Sequence, residues 1–122
     1  MKIAISLETN DGLASRTSDI FGRCNYFMFI DPDEKSFEIE ENPARSAAGG
    51  AGIRAAQFIA DHQPAAVVSG HIGPNAQTVI AGAEIPVLQF SGGSVEEALE
   101  LFKKDQLGKL TKADVSDHTG LK

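Results

Sequence analysis

Residues 25–41, NYFMFIDPDEKSFEIEE, limit the possible folds more than any other stretch of the chain. Tyr26–Ile30 is apolar without a break, the pattern of a strand covered on both faces of its sheet. Asp31–Lys35 reads as a turn, with Pro32 set among acidic residues. Ser36–Glu41 then alternates, with Phe37 and Ile39 on one face and Glu38 and Glu40 on the other. That is a half-buried strand, as at a sheet edge. The two strands around so short a turn form an antiparallel hairpin.

The rest of the chain supplies three more strands and three helices. Lys2–Leu7 is a β-branched run at the start of the chain, and Ala65–Gly70 is a short buried strand. Ile85–Phe90 is a third, and Pro86 demotes it to an edge. A helix is expected from Gly52 to His62, with Ile53, Ala56, Ile59 and Ala60 on one face. A second spans Gly73–Ala83, with Pro74 at its first position and Ala76, Val79, Ile80 and Ala83 as its apolar stripe. The third runs from Ser94 to Lys104. Ser94 and Glu97 form a capping box, and Val95, Ala98, Leu99 and Phe102 form the stripe. The order βββαβαβα with right-handed crossovers predicts an α/β fold. Its five-stranded mixed sheet has the order 3-2-1-4-5, and only the second strand is antiparallel. Residues 1–104 read as one domain. Residues 105–122 read as a polar, partly ordered tail anchored by Leu107, Leu110 and Val115.

Bulk properties exclude several classes. A chain of 122 residues can bury roughly two thirds of its unfolded surface without cross-links. A single cysteine, Cys24, forms no intramolecular disulfide, which fits a reducing compartment. The apolar run near Met1 is too short for a secretory signal. No stretch reaches the ~20 apolar residues of a membrane helix. A soluble cytoplasmic protein without a membrane partner is expected. The net charge of −6 argues against nucleic-acid binding, which rests on phosphate neutralisation.

The topology carries a functional expectation. Loops 8–24, 42–52, 70–73 and 91–93 gather at one edge of the sheet, together with the N-termini of all three helices. Ligands of open α/β sheets bind outside such strand ends, and helix N-termini favour anions. The four arginines, Arg16, Arg23, Arg45 and Arg54, all fall on these loops or on a first helical turn. They form either an anion site or a solvated cluster paired with Glu8, Asp11, Asp19 and Glu41. The expected cleft takes Arg23 and at least one other arginine, lined by Gly49–Gly52, Gly50 included, and by His71–Asn75, including Gly73 and Asn75. Cys24 at the same edge is either a small packed residue or a thiolate favoured by Arg23, the soft donor suited to copper(I) and iron–sulfur clusters. His71 lies within reach of Cys24; His62 ends a helix at the far edge, and His118 lies in the tail. AAGGAG lacks a Walker lysine and reads as a hinge.

Several segments in this order resemble one family: FGRCNYF after the first strand, ENP after the third, GGAG and SGHIGPNA opening helices, and G…VEEAL from Gly93 to Leu99. The chain resembles the dinitrogenase iron–molybdenum cofactor biosynthesis family up to about Leu110. The resemblance implies a three-layer ribonuclease H-like fold. It also implies non-catalytic binding or carriage of an anionic metal–sulfide cluster, molybdenum with iron or copper, or of its precursor. Cluster donor or acceptor proteins would be the partners. Many relatives have His where this chain has Ile20, and a small apolar residue at Cys24. Cys24 and His71 are then the side chains left as metal ligands, or charge and backbone N–H groups hold the cluster without them. The alternatives are a metal-free small-anion or nucleotide sensor and a plain interaction module. Nuclease chemistry needs clustered carboxylates for two metal ions; the first strand has none before Glu8, and AAVVS has none.

Overall fold

The computed structural model describes residues 1–110. Its elements are β1 (Ile3–Leu7), β2 (Tyr26–Ile30), β3 (Phe37–Glu41), α1 (Ala51–His62), β4 (Ala66–Ser69), α2 (Pro74–Gly82), β5 (Val87–Gln89), α3 (Val95–Lys103) and β6 (Gly108–Leu110). The sheet order is β3-β2-β1-β4-β5-β6. β2 runs antiparallel to both β1 and β3, while β1, β4 and β5 are mutually parallel. The expected order 3-2-1-4-5 is present, with one strand added.

That addition corrects the expectation for β5. It is not an edge strand, because β6 pairs with it antiparallel, Val87 opposite Leu110 and Gln89 opposite Gly108. Pro86 does not prevent this. It stands just before β5, outside the paired register, and its carbonyl accepts from Val67 N–H at 2.9 Å. A proline at the mouth of a strand withholds no ladder donor. Val115 and His118 lie outside the described residues.

The alternation of the strands divides the core into two layers. Ile3, Ile5 and Leu7 of β1, Met28 and Ile30 of β2, and Val68 pack under Val95, Ala98 and Leu99 of α3. Ala4, Phe27, Phe29 and Val67 point the other way, against Ala55, Ala56 and Ile59 of α1 and Ala76 and Ile80 of α2. Each large side chain so buried contributes about 1.5–3 kcal/mol. β3 is the half-covered edge expected from its alternation, with Phe37 40% exposed. The capping box of α3 is present, Ser94 Oγ accepting from Glu97 N–H and Ser94 N–H donating to Glu97 Oε1.

Two helix stripes differ from expectation. In α1 the buried residues are Ala51, Ala55, Ala56 and Ile59; Ile53 is 38% exposed. In α2, Gln77 is buried and Ala83 is exposed. Both helices cover one sheet face side by side, so their burial follows the neighbouring helix as well as the sheet. Among the described residues no helix is long and apolar enough to cross a membrane.

Candidate functional site

α1 and α2 begin at the same sheet edge, and neither N-terminus has a side-chain cap. α1 starts after Gly50, whose φ of 69° is left-handed and suits glycine. The first bonds within these helices are Arg54 N–H to Gly50 O and Gln77 N–H to Gly73 O, each 3.0 Å. The N–H groups of Ala51, Gly52 and Ile53, and of Asn75 and Ala76, precede those bonds and have no intrahelical acceptor. Neither first turn contains an acidic residue. α3 is the opposite case. Ser94 caps it, and Glu96 and Glu97 occupy its first turn. The partial positive charge of α3 is thus answered by its own cap and first-turn acids, which α1 and α2 lack.

Between the two open helix ends lies a cleft of about 420 Å³. Its walls are Ile20–Arg23, Gly50–Ile53, His71 and Gly73–Ala76. No carboxylate is among these residues. The charged or chargeable groups are the Arg23 guanidinium and the His71 imidazole. Ile20, Ile53 and Pro74 supply apolar surface.

Two close backbone approaches build the cleft. A Cβ at position 22 would stand 3.1 Å from Gly52 Cα, so the 21–24 loop lies directly on the first turn of α1. A Cβ at position 70 would overlap the Asp19 carbonyl. That contact lets His71 N–H donate to Asp19 O (2.7 Å) and Phe21 N–H to His71 O (2.9 Å). The result is an isolated parallel bridge that sets Ile20 beside His71.

The structure brings together Arg23, Gly50, His71, Gly73 and Asn75, and it separates the other expected site residues. Gly49 does not line the cleft, and the expected second arginine is missing from it. Arg16 bridges to Ser94 and lines a different hollow with Gly92, Gly93 and Glu97. Arg54 is exposed on the first turn of α1, outside the lining. Arg45 is exposed and 3.8 Å from Glu41, one of the acid partners considered for the arginines. Its contribution comes through its carbonyl, which accepts from Arg23 Nη1 at 3.2 Å.

Cys24 is turned into the core. It is 1% exposed, packs among Phe21, Phe27 and Ala51, and does not line the cleft. Its thiol donates to Tyr26 O (3.3 Å) and lies 3.7 Å from Asn42 Nδ2. Burial pushes the thiol pKa up to about 12, and hydrogen bonds from the Leu7 backbone and the Asn42 side chain offset only part of that. Of the two readings of Cys24, the small packed residue is the one its burial supports; the thiolate favoured by Arg23 is corrected to a protonated thiol, because desolvation disfavours the charged form. His71 is therefore the one His or Cys side chain on the cleft. Among the described residues no group of three His, Cys, Asp or Glu side chains could hold a metal ion.

Sequence reasoning missed Ile20 and Ile53 as cleft walls and Asn42 as the buried polar residue behind them. Asn42 belongs to the ENP segment, and an asparagine after an edge strand was the available signal.

Two uncapped helix ends flank a carboxylate-free cleft at the edge of an open α/β sheet, the place where such sheets commonly bind ligands. Comparison with known proteins gives the family: the chain belongs to the dinitrogenase iron–molybdenum cofactor family, which matches residues 1–105. It is 35% identical over 112 residues to an uncharacterized protein of Methanocaldococcus jannaschii, covering 89% of this chain and 91% of that one. Among solved structures it is similar to the apo form of the orange protein from Desulfovibrio gigas. That match has a TM-score of 0.81 and 29% identity, over 90% of this chain and 96% of that one. A Thermotoga protein of the DUF35 family has a TM-score of 0.77 and 31% identity, over 90% of this chain and 93% of that one.

Proposed function

We propose that the cleft binds and carries an anionic metal–sulfide cluster, or its precursor, without catalysing a reaction on it. The observation behind this reading is the pairing of two uncapped helix N-termini with Arg23 and His71, in a lining that has no carboxylate. A chain of net charge −6 that keeps all acids out of one cleft is built to hold negative charge there. Of the metal pairs implied by the resemblance, the family description supports iron with molybdenum. The cargo is held by charge, by N–H groups and by apolar contact with Ile20, Ile53 and Pro74. The His71 imidazole is the one His or Cys donor in the lining, and imidazole suits iron and copper. Bridging sulfides suit such a site, since they are large, weakly hydrated acceptors. We place the protein in the cytoplasm, receiving cargo from one protein and passing it to another.

Anaerobic purification followed by metal analysis and visible spectroscopy tests the reading. The expected result is coloured protein containing molybdenum, or colourless protein that takes up tetrathiomolybdate one to one and resists phosphate competition. Colourless protein that binds phosphate or a nucleotide in preference to tetrathiomolybdate overturns it.

A further inference from the structure

Asn42 lies behind the cleft wall, 2% exposed and absent from the lining, yet its amide is fully committed. Nδ2 donates to Gly22 O at 3.0 Å and to Cys24 O at 2.9 Å. These are the carbonyls of the residues on either side of Arg23. Oδ1 accepts from Ala44 N–H at 2.9 Å, and the Asn42 backbone N–H donates to Asn25 O at 3.0 Å. Ala44 directly precedes Arg45, whose carbonyl receives Arg23 Nη1. One buried side chain thus fixes the peptide units flanking Arg23 and also the segment holding the acceptor that aims its guanidinium.

We propose that Asn42 is a positioning residue of the anion site, acting through Arg23; this rests on the anion-binding reading above. An apolar residue would leave the Gly22 and Cys24 carbonyls without their donor in the interior, and aspartate would face both with an oxygen. On the opposite wall His71 N–H donates to Asp19 O at 2.7 Å, a bond in which neither Asn42 nor its partners take part. Loss of Asn42 therefore moves the Arg23 wall and leaves the His71 wall in place.

A double-mutant cycle on the full chain tests this, with tetrathiomolybdate as the probe. Asn42→Ala should weaken binding about tenfold, the usual scale for removing a residue that orients a binding group. In an Arg23→Ala background the same change should cost less than about twofold, no more than the scatter of additivity, so that nearly the whole effect is coupled to Arg23. An equal loss in both backgrounds makes Asn42 a merely structural residue and overturns the proposal. If Asn42→Ala does not fold, the wild-type protein decides through side-chain amide exchange followed by NMR. Both Asn42 Nδ2 protons should exchange far more slowly than those of exposed Asn10 and Asn75; equal rates overturn the proposal. Failure of wild-type protein to bind the probe overturns the anion-binding reading itself. The Arg23 Nε–H resonance then still reports on positioning, and its persistence unshifted in Asn42→Ala overturns the role of Asn42.

Discussion

Ile20 and His71 stand side by side across an isolated parallel bridge, held by two backbone hydrogen bonds of 2.7 and 2.9 Å on the His71 peptide units. Both line the cleft, and Ile20 is 45% exposed. The rigid stem presents one imidazole and one aliphatic side chain to the same space. Ile20→His would put two imidazoles there. Calorimetry with Zn²⁺ should show the variant binding at least about tenfold more tightly than wild type, since neutral imidazole is a good zinc ligand. Equal affinities would mean that the two side chains do not converge.

The arginines should separate cleanly in binding assays. Arg23→Ala removes the guanidinium from the cleft and should weaken tetrathiomolybdate binding at least about tenfold, consistent with the ~1.5–3 kcal/mol of a hydrogen bond to a charged group. Arg16→Ala should leave affinity unchanged, because Arg16 lines the separate hollow beside Gly93 and Ser94. Fluorescence or absorbance titration at fixed ionic strength measures both, and equal effects would place the anion elsewhere.

Gly70→Ala tests the stem beneath His71. The new Cβ would overlap the Asp19 carbonyl, which is backbone and cannot swing aside. A loss of about 1–3 kcal/mol is expected from overpacking, read as a lower midpoint in thermal unfolding. Weaker probe binding should accompany it as the His71 bonds to Asp19 and Phe21 part. Stability within about 0.5 kcal/mol of wild type would show that the loop yields freely.

Cys24 makes an alkaline prediction. Its pKa is raised from 9.0 to about 12 in the folded chain, so the folded state favours the protonated thiol. That stability is fully present below the unfolded pKa and falls as pH rises toward the folded value, by about 1.4 kcal/mol per pH unit in between. Urea unfolding of wild type and Cys24→Ala between pH 8 and about 11 should therefore give curves that converge, cross near pH ~10 and leave wild type the less stable above it. The alanine variant lacks this alkaline loss, at a cost near neutrality of about 1 kcal/mol for the lost packing. Parallel curves would show a thiol that ionises freely in the native state. Anion affinity should be unchanged in Cys24→Ala, since the thiol does not line the cleft.

Local pattern was enough to identify β1–β4, the start of α2 at Pro74, the capping box of α3 and the sheet edge at which the cleft opens. Strand alternation, an unbroken apolar run and a cap are properties of a few neighbouring residues, and they survive in any fold that uses them. The sheet order β3-β2-β1-β4-β5 followed from the same patterns once crossover handedness was imposed. Side-chain direction in the loops did not. Arg23 reaches the cleft and Cys24 turns into the core because Asn42, some 18 to 20 residues away, holds the carbonyls of Gly22 and Cys24. Arg16 faces another hollow because its backbone bridges to Ser94. Ile53 is exposed although its helical spacing points inward, because α2 and the 21–24 loop set which side of α1 is covered. β6 pairs with β5 through a register outside Pro86, which local propensity cannot convey. Contacts between residues distant in sequence decide these matters, because a loop has no internal period and takes its orientation from the hydrogen bonds and close packing it finds when the chain closes around it.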